Sequence, residues 1–223
     1  MLGIIGGTAL LAAKLPALQK KTVATPFGKT DVYTGKCIFI PRHQNNTPPH
    51  NVNHRAHLAA CKILGVDRLI LIGSTGGMKE SVRPGALVIP DDYYCPWDIP
   101  TLHDNDIHHV PPAVDEGLRR TLHDLIPDAV SGTYLQAPGP RFETRAEIAS
   151  FAEYTDIVGM TIASELTLAN ELGIPAAALC TVDNYANGVG GADVPDYNEI
   201  VTVAKQNGER ISKIVTEIVE NLA

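Results

Sequence analysis

The sequence is short of basic residues, and it has no apolar run close to the ~20 residues that a membrane-spanning helix needs. It contains 18 lysine and arginine residues against 25 aspartate and glutamate residues, which gives a formal net charge of −7. This negative charge repels a nucleic-acid backbone and an anionic lipid surface, so neither is an expected partner. An anionic ligand must therefore be bound by a local pocket.

Cysteine is also scarce, with 4 residues in a chain of 223. Cys37, Cys61, Cys95 and Cys180 lie far apart, and no two of them form a C-x-x-C pair. This spacing argues against a zinc ligand set and against a disulfide framework. It is typical of a reducing compartment, so we expect a cytoplasmic protein without a bound metal.

The chain has the length and composition of one globular domain spanning residues 1–223, because 44% of its residues are hydrophobic and 19% are charged. Short β-branched runs alternate with longer helical patterns, which predicts an α/β fold. The predicted strands are 2–5, 37–40, 69–72, 86–89 and 156–158, and the predicted helices are 54–64, 114–126, 144–153 and 161–172. A last helix follows a capping box of Asp196 and Glu199, and its apolar stripe extends from Ile200 to Leu222.

Three turns that contain glycine follow predicted strands, at residues 6–8, 74–77 and 139–141. Backbone N–H groups in such turns can face an anion. Arg42 and His43 follow a fourth strand, and the end of a strand is where sites collect in α/β folds. Because arginine can bind phosphate through two parallel hydrogen bonds, the pattern predicts a phosphate pocket.

Eight motifs occur in order along nearly the whole chain. They are GIIGGT (3–8), TPFG (25–28), RH (42–43), PPHNVNHRA (48–56), STGG (74–77), PGALVIPD (84–91), GPRFET (139–144) and GMTIASE (159–165). Together they resemble the methylthioadenosine phosphorylase and purine nucleoside phosphorylase family. The resemblance implies a twisted mixed β-sheet that closes into a partial barrel surrounded by helices, assembled as a homotrimer or a dimer of trimers.

The same resemblance implies the reaction, in which inorganic phosphate splits a purine nucleoside into a free base and a sugar 1-phosphate. Phosphate is then a co-substrate, and no cofactor is expected. A phosphate nucleophile already carries negative charge, so the protein needs to hold it below C1′ while the sugar becomes cationic. The residues implied to bind phosphate are Thr8, Arg42, His43, Ser74 and Thr161, and those implied to bind the nucleoside are Phe142, Met160, Tyr197 and His109.

The candidate catalytic residues are Glu143, Asp183 and Asn184, which the resemblance places at the purine base. Two alignments of the segment 181–188 are open, and they put either Asn184 or Asp183 at the base. The 6-aminopurine branch carries an Asp-x-Asp pair, whereas the position two after Asp183 is Tyr185. Glu143 also favours a 6-oxopurine, because a carboxylate accepts from the N1–H that hypoxanthine and guanine have and adenine lacks.

Two further residues of the resemblance concern the sugar and the subunit interface. Tyr197 lies at the start of the last helix, where the family distinguishes a 5′-hydroxyl from a 5′-methylthio group, and tyrosine is compatible with both. The surrounding motifs are most similar to the methylthioinosine branch. His109, in the segment 107–111, corresponds to the residue that reaches into the neighbouring subunit's pocket.

The sequence departs from the family at Gln44, which replaces a glycine, and at His54 and His57, which replace other polar residues. With His50 these histidines form a cluster, which we interpret as part of a surface or interface helix because no carboxylate ligand accompanies them. Three alternatives stay open. They are a methylthioadenosine phosphorylase, a non-catalytic nucleoside binder, and an NAD-dependent oxidoreductase, although residues 3–8 lack the G-x-G-x-x-G of the last class.

Overall fold

Alternating strands and helices build a mixed sheet in the computed structural model, which describes residues 1–10, 13 and 18–223. The strands are β1 Leu2–Gly6, β2 Gln19–Thr25, β3 Gly28–Thr34, β4 Ile38–Pro41, β5 Arg68–Gly77, β6 Leu87–Tyr94, β7 Val130–Gln136, β8 Ile157–Gly159 and β9 Ala176–Tyr185. The α-helices are α1 His54–Ile63, α2 Glu116–Leu125, α3 Arg145–Phe151, α4 Ile162–Glu171, α5 Tyr197–Gln206 and α6 Gly208–Leu222.

The sheet closes on itself through β5. Its strand order is β2-β3-β4-β1-β5-β8-β7-β6-β9, and β5 pairs with β9 as well as with β1 and β8. The strands from β5 to β9 therefore form a ring, from which β1 to β4 extend as an open sheet. β5 is parallel to β1 and β9 but antiparallel to β8. The expected twisted mixed sheet with a partial barrel is confirmed.

Successive residues of the central strands point to opposite faces and supply two separate cores, as the two-residue period of a strand requires. In β5, Leu69 and Leu71 join a core with residues of α1 and α4, whereas Ile70 and Ile72 join a core with residues of α2 and α6. All four of these side chains have no exposed surface. The helices therefore cover both faces of the sheet.

Capping side chains set where the predicted helices begin. Asp115 accepts a hydrogen bond from the backbone N of Leu118 (2.8 Å), so α2 begins one residue after this cap. Thr144 and Glu147 form a reciprocal capping box that starts α3. Among the described helices, none combines the length and the apolar character needed to cross a membrane.

Three expectations about the elements were wrong or incomplete. The last helix is two helices, α5 and α6, which meet at Asn207, and Asp196 caps α5 by accepting from Asn198 N (2.8 Å). Residues 74–77 are no turn, because β5 continues to Gly77 through its pairing with β8 and β9. The hairpin of β2 and β3 and the strand β9 were absent from the strand prediction, whereas β7 contains Tyr134 and Leu135, which precede the turn 139–141.

Candidate active site

A cavity of about 240 Å³ lies where β1, β4, β5, β8 and β9 end. Parallel strands bring their carboxyl ends to one edge, which is where α/β sheets bind ligands. The turn after β1 supplies Thr8, and the segment after β4 supplies Arg42 and His43. The remaining lining residues are Pro49, Ser74, Thr75, Gly76, Pro140, Phe142, Glu143, Val158, Gly159, Met160, Thr161, Asn184, Ala186, Pro195, Tyr197 and Ile200.

Arg42 is held by Glu165, a residue of α4. Arg42 Nε and Nη2 donate to Glu165 Oε1 and Oε2, each at 2.7 Å, and the two side chains are 2% and 0% exposed. Arg42 Nη1 also donates to the carbonyl of Ile72 (2.9 Å). The fork of the guanidinium group is therefore occupied, and the predicted two-bond contact of Arg42 with phosphate is replaced by a contact with Glu165. One N–H of Nη1 remains for an anion.

This ion pair shifts the titration of Glu165. Burial alone raises the pKa of a carboxyl group, but the attraction and hydrogen bonds of Arg42 outweigh burial and hold the pKa of Glu165 at about 2. His54 Nδ1 lies 3.3 Å from Glu165 Oε1 and adds to this effect. Glu165 is therefore ionised at neutral pH and compensates most of the positive charge at this end of the cavity.

The predicted phosphate residues lie together at this end. Thr8, His43, Ser74 and Thr161 all line the cavity beside Arg42. Thr161 begins α4 without a capping bond, so its hydroxyl is available to a ligand. Glycine is required at Gly7, because a Cβ there would lie 2.8 Å from Arg42 Nη1 and 3.0 Å from His43 Cδ2. The glycine-rich start of the chain thus lets backbone approach these two side chains.

His43 has a defined tautomer. Its Nδ1 lies 2.9 Å from the carbonyl oxygen of Thr47, which can only accept, so Nδ1 carries the hydrogen. Burial, and then the neighbouring Arg42 charge, lowers the pKa of His43. The neutral ring therefore presents the lone pair of Nε2.

A β-bulge separates Asp183 from Asn184 and decides which of them reaches the cavity. Thr75 is opposite Val182 and Gly76 is opposite Asn184, so Asp183 has no partner on β5. Asn184 lines the cavity, and its Nδ2 donates to the Tyr185 carbonyl (2.6 Å). Asp183 is buried beside the cavity and accepts from Ser74 Oγ instead.

Glu143 is a buried carboxyl group that lines the same cavity. It is 8% exposed, and burial raises its pKa. Its neighbour Arg141 pairs with Glu147, so no cation in the described residues forms a salt bridge with Glu143. Asn187 Nδ2 donates to the Glu143 carbonyl (3.1 Å) and fixes this segment to the end of β9. A carboxyl group in this setting is suited to bind a ligand N–H.

Part of the cavity lining is apolar. Phe142, Met160 and Ile200 form this part together with Tyr197, which is 58% exposed at the start of α5. Tyr197 therefore lies at the mouth of the cavity. His109 is an exposed residue outside the lining of this cavity, so within one protomer it does not contact the site.

The histidine cluster and Gln44 have structural contacts. His54 and His57 are 7% and 4% exposed, so the expectation of a surface helix was wrong. They face the core because α1 packs against α4, where Glu165 lies, and burial lowers the pKa of His57 to about 4. Gln44 Nε2 donates to Thr30 Oγ1 and to the Asp31 carbonyl, both at 2.8 Å, and thereby ties the segment after β4 to β3.

Sequence reasoning missed two residues that organise the site. Glu165 lies within the GMTIASE motif but was given no role, although a carboxylate in the apolar helix pattern 161–172 was a usable signal. Tyr134 of β7 was also missed, and its hydroxyl accepts from the backbone N of Thr161 (3.1 Å) and of Ile162 (3.3 Å). This contact fixes the start of α4.

A partial barrel with a cavity lined by anion donors, a buried carboxyl group and apolar side chains has the features expected of the nucleoside phosphorylase class. The profile of the Phosphorylase superfamily matches residues 1–220. The chain therefore belongs to the Phosphorylase superfamily.

Several relatives are similar over almost their full length. A protein of Archaeoglobus fulgidus named probable 6-oxopurine nucleoside phosphorylase is 39% identical, covering 100% of this chain and 97% of the relative. A probable S-methyl-5'-thioinosine phosphorylase of Methanocaldococcus jannaschii is 33% identical over 98% of this chain and 92% of the relative. A solved variant of adenosine/methylthioadenosine phosphorylase from Schistosoma mansoni, in complex with adenine, has a TM-score of 0.89 and 25% identity, covering 99% of this chain and 90% of that chain.

We expect Glu165→Gln to destabilise the fold by about 3 to 5 kcal/mol, because it leaves the buried Arg42 charge without its anion. Inorganic phosphate should restore part of this loss, since it brings a negative charge next to Arg42. Urea unfolding with and without phosphate measures both effects. Glu116→Gln breaks an exposed pair with Arg119 and should cost about 1 kcal/mol or less.

The carboxyl group of Glu165 should also make the stability of the fold depend on pH in the acid range. Its pKa is lowered from 4.5 to about 2 by folding, so its contribution to stability is complete above pH 4.5 and is lost as the pH falls towards 2. The Glu165→Gln variant should therefore lose less stability than the wild type across this interval. Equal stability of the two proteins at neutral pH would contradict the role of the pair.

Proposed function

We propose that this enzyme of the Phosphorylase superfamily cleaves 6-oxopurine nucleosides with inorganic phosphate, giving the free base and a sugar 1-phosphate. The observation that carries the choice of base is the Glu143 carboxyl group, which is buried in the cavity without a salt bridge to any described cation. The names of relatives at 39% and 33% identity, a 6-oxopurine and a methylthioinosine phosphorylase, support the same substrate class.

Phosphate would bind at the end formed by Thr8, Arg42, His43, Ser74 and Thr161. The hydroxyl groups of Thr8 and Thr161 and the free N–H of Arg42 supply donors to its oxygens. Held there, phosphate attacks C1′ as the bond to the purine breaks, and its negative charge stabilises the cationic sugar. No protein base is needed to activate a nucleophile that is already an anion.

The purine would lie towards Glu143 and Asn184, with Phe142 on the apolar wall. Glu143 accepts from the purine N1–H, and Asn184 contacts the side of the ring that gains negative charge as the base leaves. Adenine has no N1–H and leaves the Glu143 carboxyl group unpaired in a desolvated site. This difference favours hypoxanthine and guanine.

The sugar would lie beside Met160, with its 5′ end at Tyr197, Pro195 and Ile200. These side chains offer apolar surface and one hydroxyl, so a 5′-methylthio group and a 5′-hydroxyl can both be accommodated. We propose a 6-oxopurine nucleoside with a tolerated 5′-methylthio group. The rival function is that of a methylthioadenosine phosphorylase, which the name and the bound adenine of the Schistosoma mansoni structure favour.

A cleavage panel tests the reaction. Inosine, guanosine, adenosine and their 5′-methylthio analogues are incubated with the protein with and without phosphate, and free base and sugar 1-phosphate are quantified. We expect cleavage that requires phosphate and prefers the 6-oxopurines. Equal cleavage in phosphate-free buffer identifies a hydrolase, and faster cleavage of methylthioadenosine than of methylthioinosine supports the rival function.

Glu143→Gln tests base recognition. We expect kcat/KM for inosine to fall by at least about tenfold relative to that for adenosine, because a neutral amide is a weaker acceptor for N1–H. The KM for phosphate should stay close to that of the wild type, since Glu143 is hydrogen-bonded through its carbonyl to Asn187 and to none of the predicted phosphate residues among the described contacts. Glu147→Gln is the matched control, because Glu147 pairs with Arg141 outside the cavity. Equal losses for both nucleosides would contradict this role of Glu143.

We also propose a cytoplasmic homotrimer, or a dimer of trimers, in which His109 enters the neighbouring subunit's cavity. This is supported by the exposed loop of Ile107 and His109 and by the open mouth at Tyr197. His109→Ala should raise the KM for the nucleoside, as measured by kinetics. Ile107→Ser should lower the oligomeric state, as measured by light scattering. A fully active monomer would refute the shared site.

A further inference from the structure

The hydroxyl of Ser74 is oriented by Asp183. Ser74 Oγ donates to Asp183 Oδ2, and the Asp183 side chain is buried at 4% exposure. A serine hydroxyl has one hydrogen and two lone pairs. Because its hydrogen is directed to the carboxylate, Ser74 can offer only lone pairs to a ligand in the cavity that it lines.

The bulge in the β5–β9 ladder determines where the Asp183 side chain lies. The bulge in β9 places it opposite no residue of β5, and it is absent from the cavity lining. Burial raises the pKa of Asp183, and the hydrogen bond from Ser74 acts in the opposite direction. Among the described residues it forms no salt bridge, and its Oδ1 has no hydrogen-bond partner. Its donor on β5 is therefore Ser74 alone.

A second acceptor lies at the same end of the cavity. His43 donates from Nδ1 to the Thr47 carbonyl, so its neutral ring offers the Nε2 lone pair. The donors facing the anion are the free N–H of Arg42 and the hydroxyls of Thr8 and Thr161. An anion bound here thus meets lone pairs as well as donors. An unprotonated oxygen next to Ser74 is repelled, whereas a protonated oxygen forms a hydrogen bond.

We propose that Asp183 is a positioning residue that makes Ser74 a hydrogen-bond acceptor and so selects an oxyanion that carries a proton, hydrogenphosphate, over one that carries none, sulfate. The two anions are tetrahedral and have the same charge where both are dianions, so the proton is what distinguishes them. The inference rests on the proposed function, because it concerns the site at which phosphate binds. The inference assigns Asp183 a role at the phosphate-binding site and not at the purine base.

Calorimetric titration of the purified protein with phosphate and with sulfate, at a pH where both are dianions, tests this selection. The wild type should bind phosphate more tightly than sulfate, and the dissociation constant for sulfate divided by that for phosphate should fall by about tenfold in Asp183→Ala. This change removes the acceptor of the Ser74 hydrogen and releases that hydrogen towards the anion, whereas Asp183→Asn keeps an amide oxygen as acceptor and should lower the ratio less. Ser74→Ala removes the acceptor and should lower the ratio as well.

Asp156→Asn is the matched control, because Asp156 pairs with Lys79 outside the cavity, and its anion ratio should equal that of the wild type. If folded Asp183 variants keep the wild-type ratio of the sulfate and phosphate dissociation constants, the inference is overturned. A changed base preference with unchanged anion binding also overturns it, because that result would place Asp183 at the base. Absence of phosphate-dependent cleavage would refute the proposed function separately, since the titration needs no turnover.

Discussion

The ion pair of Arg42 and Glu165 is the constraint on which the site depends. Two charged side chains with almost no exposed surface are stable only if they satisfy each other, because desolvation of either alone is costly. The pair joins the segment after β4 to α4, and Arg42 also bonds the carbonyl of Ile72 in β5. Three elements that are distant in sequence are thereby fixed around one corner of the cavity, and the residues predicted to bind phosphate lie at that corner.

The closure of the sheet is the second feature that fixes the positions of the cavity residues. β5 pairs with β9 along its whole length, and the one irregularity in this ladder lies at the cavity, between Thr75 and Gly76. A bulge changes the direction of the side chains beyond it. Because of this bulge, the Asn184 side chain lines the cavity and the Asp183 side chain contacts Ser74. The one extra residue in β9 therefore places two neighbouring polar side chains in different surroundings.

The sequence was sufficient for the fold class, because that depends on local patterns. The resemblance to the phosphorylase family supplied the predicted site residues, and all of these except Asp183 and His109 line the cavity. β-branched runs predicted the strands at 2–5 and 69–72, but β9 begins with Ala176, Ala177 and Ala178, which carry no strand signal. Pairing with β5 makes it a strand nonetheless. The buried histidines were misplaced for a related reason. Their setting depends on Glu165 of another helix, and a long-range contact of this kind leaves no periodic trace in the chain.

Charge compensation also bears on why phosphate can react in this cavity. A bare guanidinium group would bind a dianion strongly and reduce its tendency to attack the sugar, since tight binding of the ground state raises the barrier. Glu165 neutralises Arg42, and burial keeps His43 neutral, so the local charge at the proposed phosphate site is small. An anion at this proposed site would be positioned mainly by the hydroxyls of Thr8 and Thr161 and a single N–H, and its negative charge would remain available to the cationic sugar.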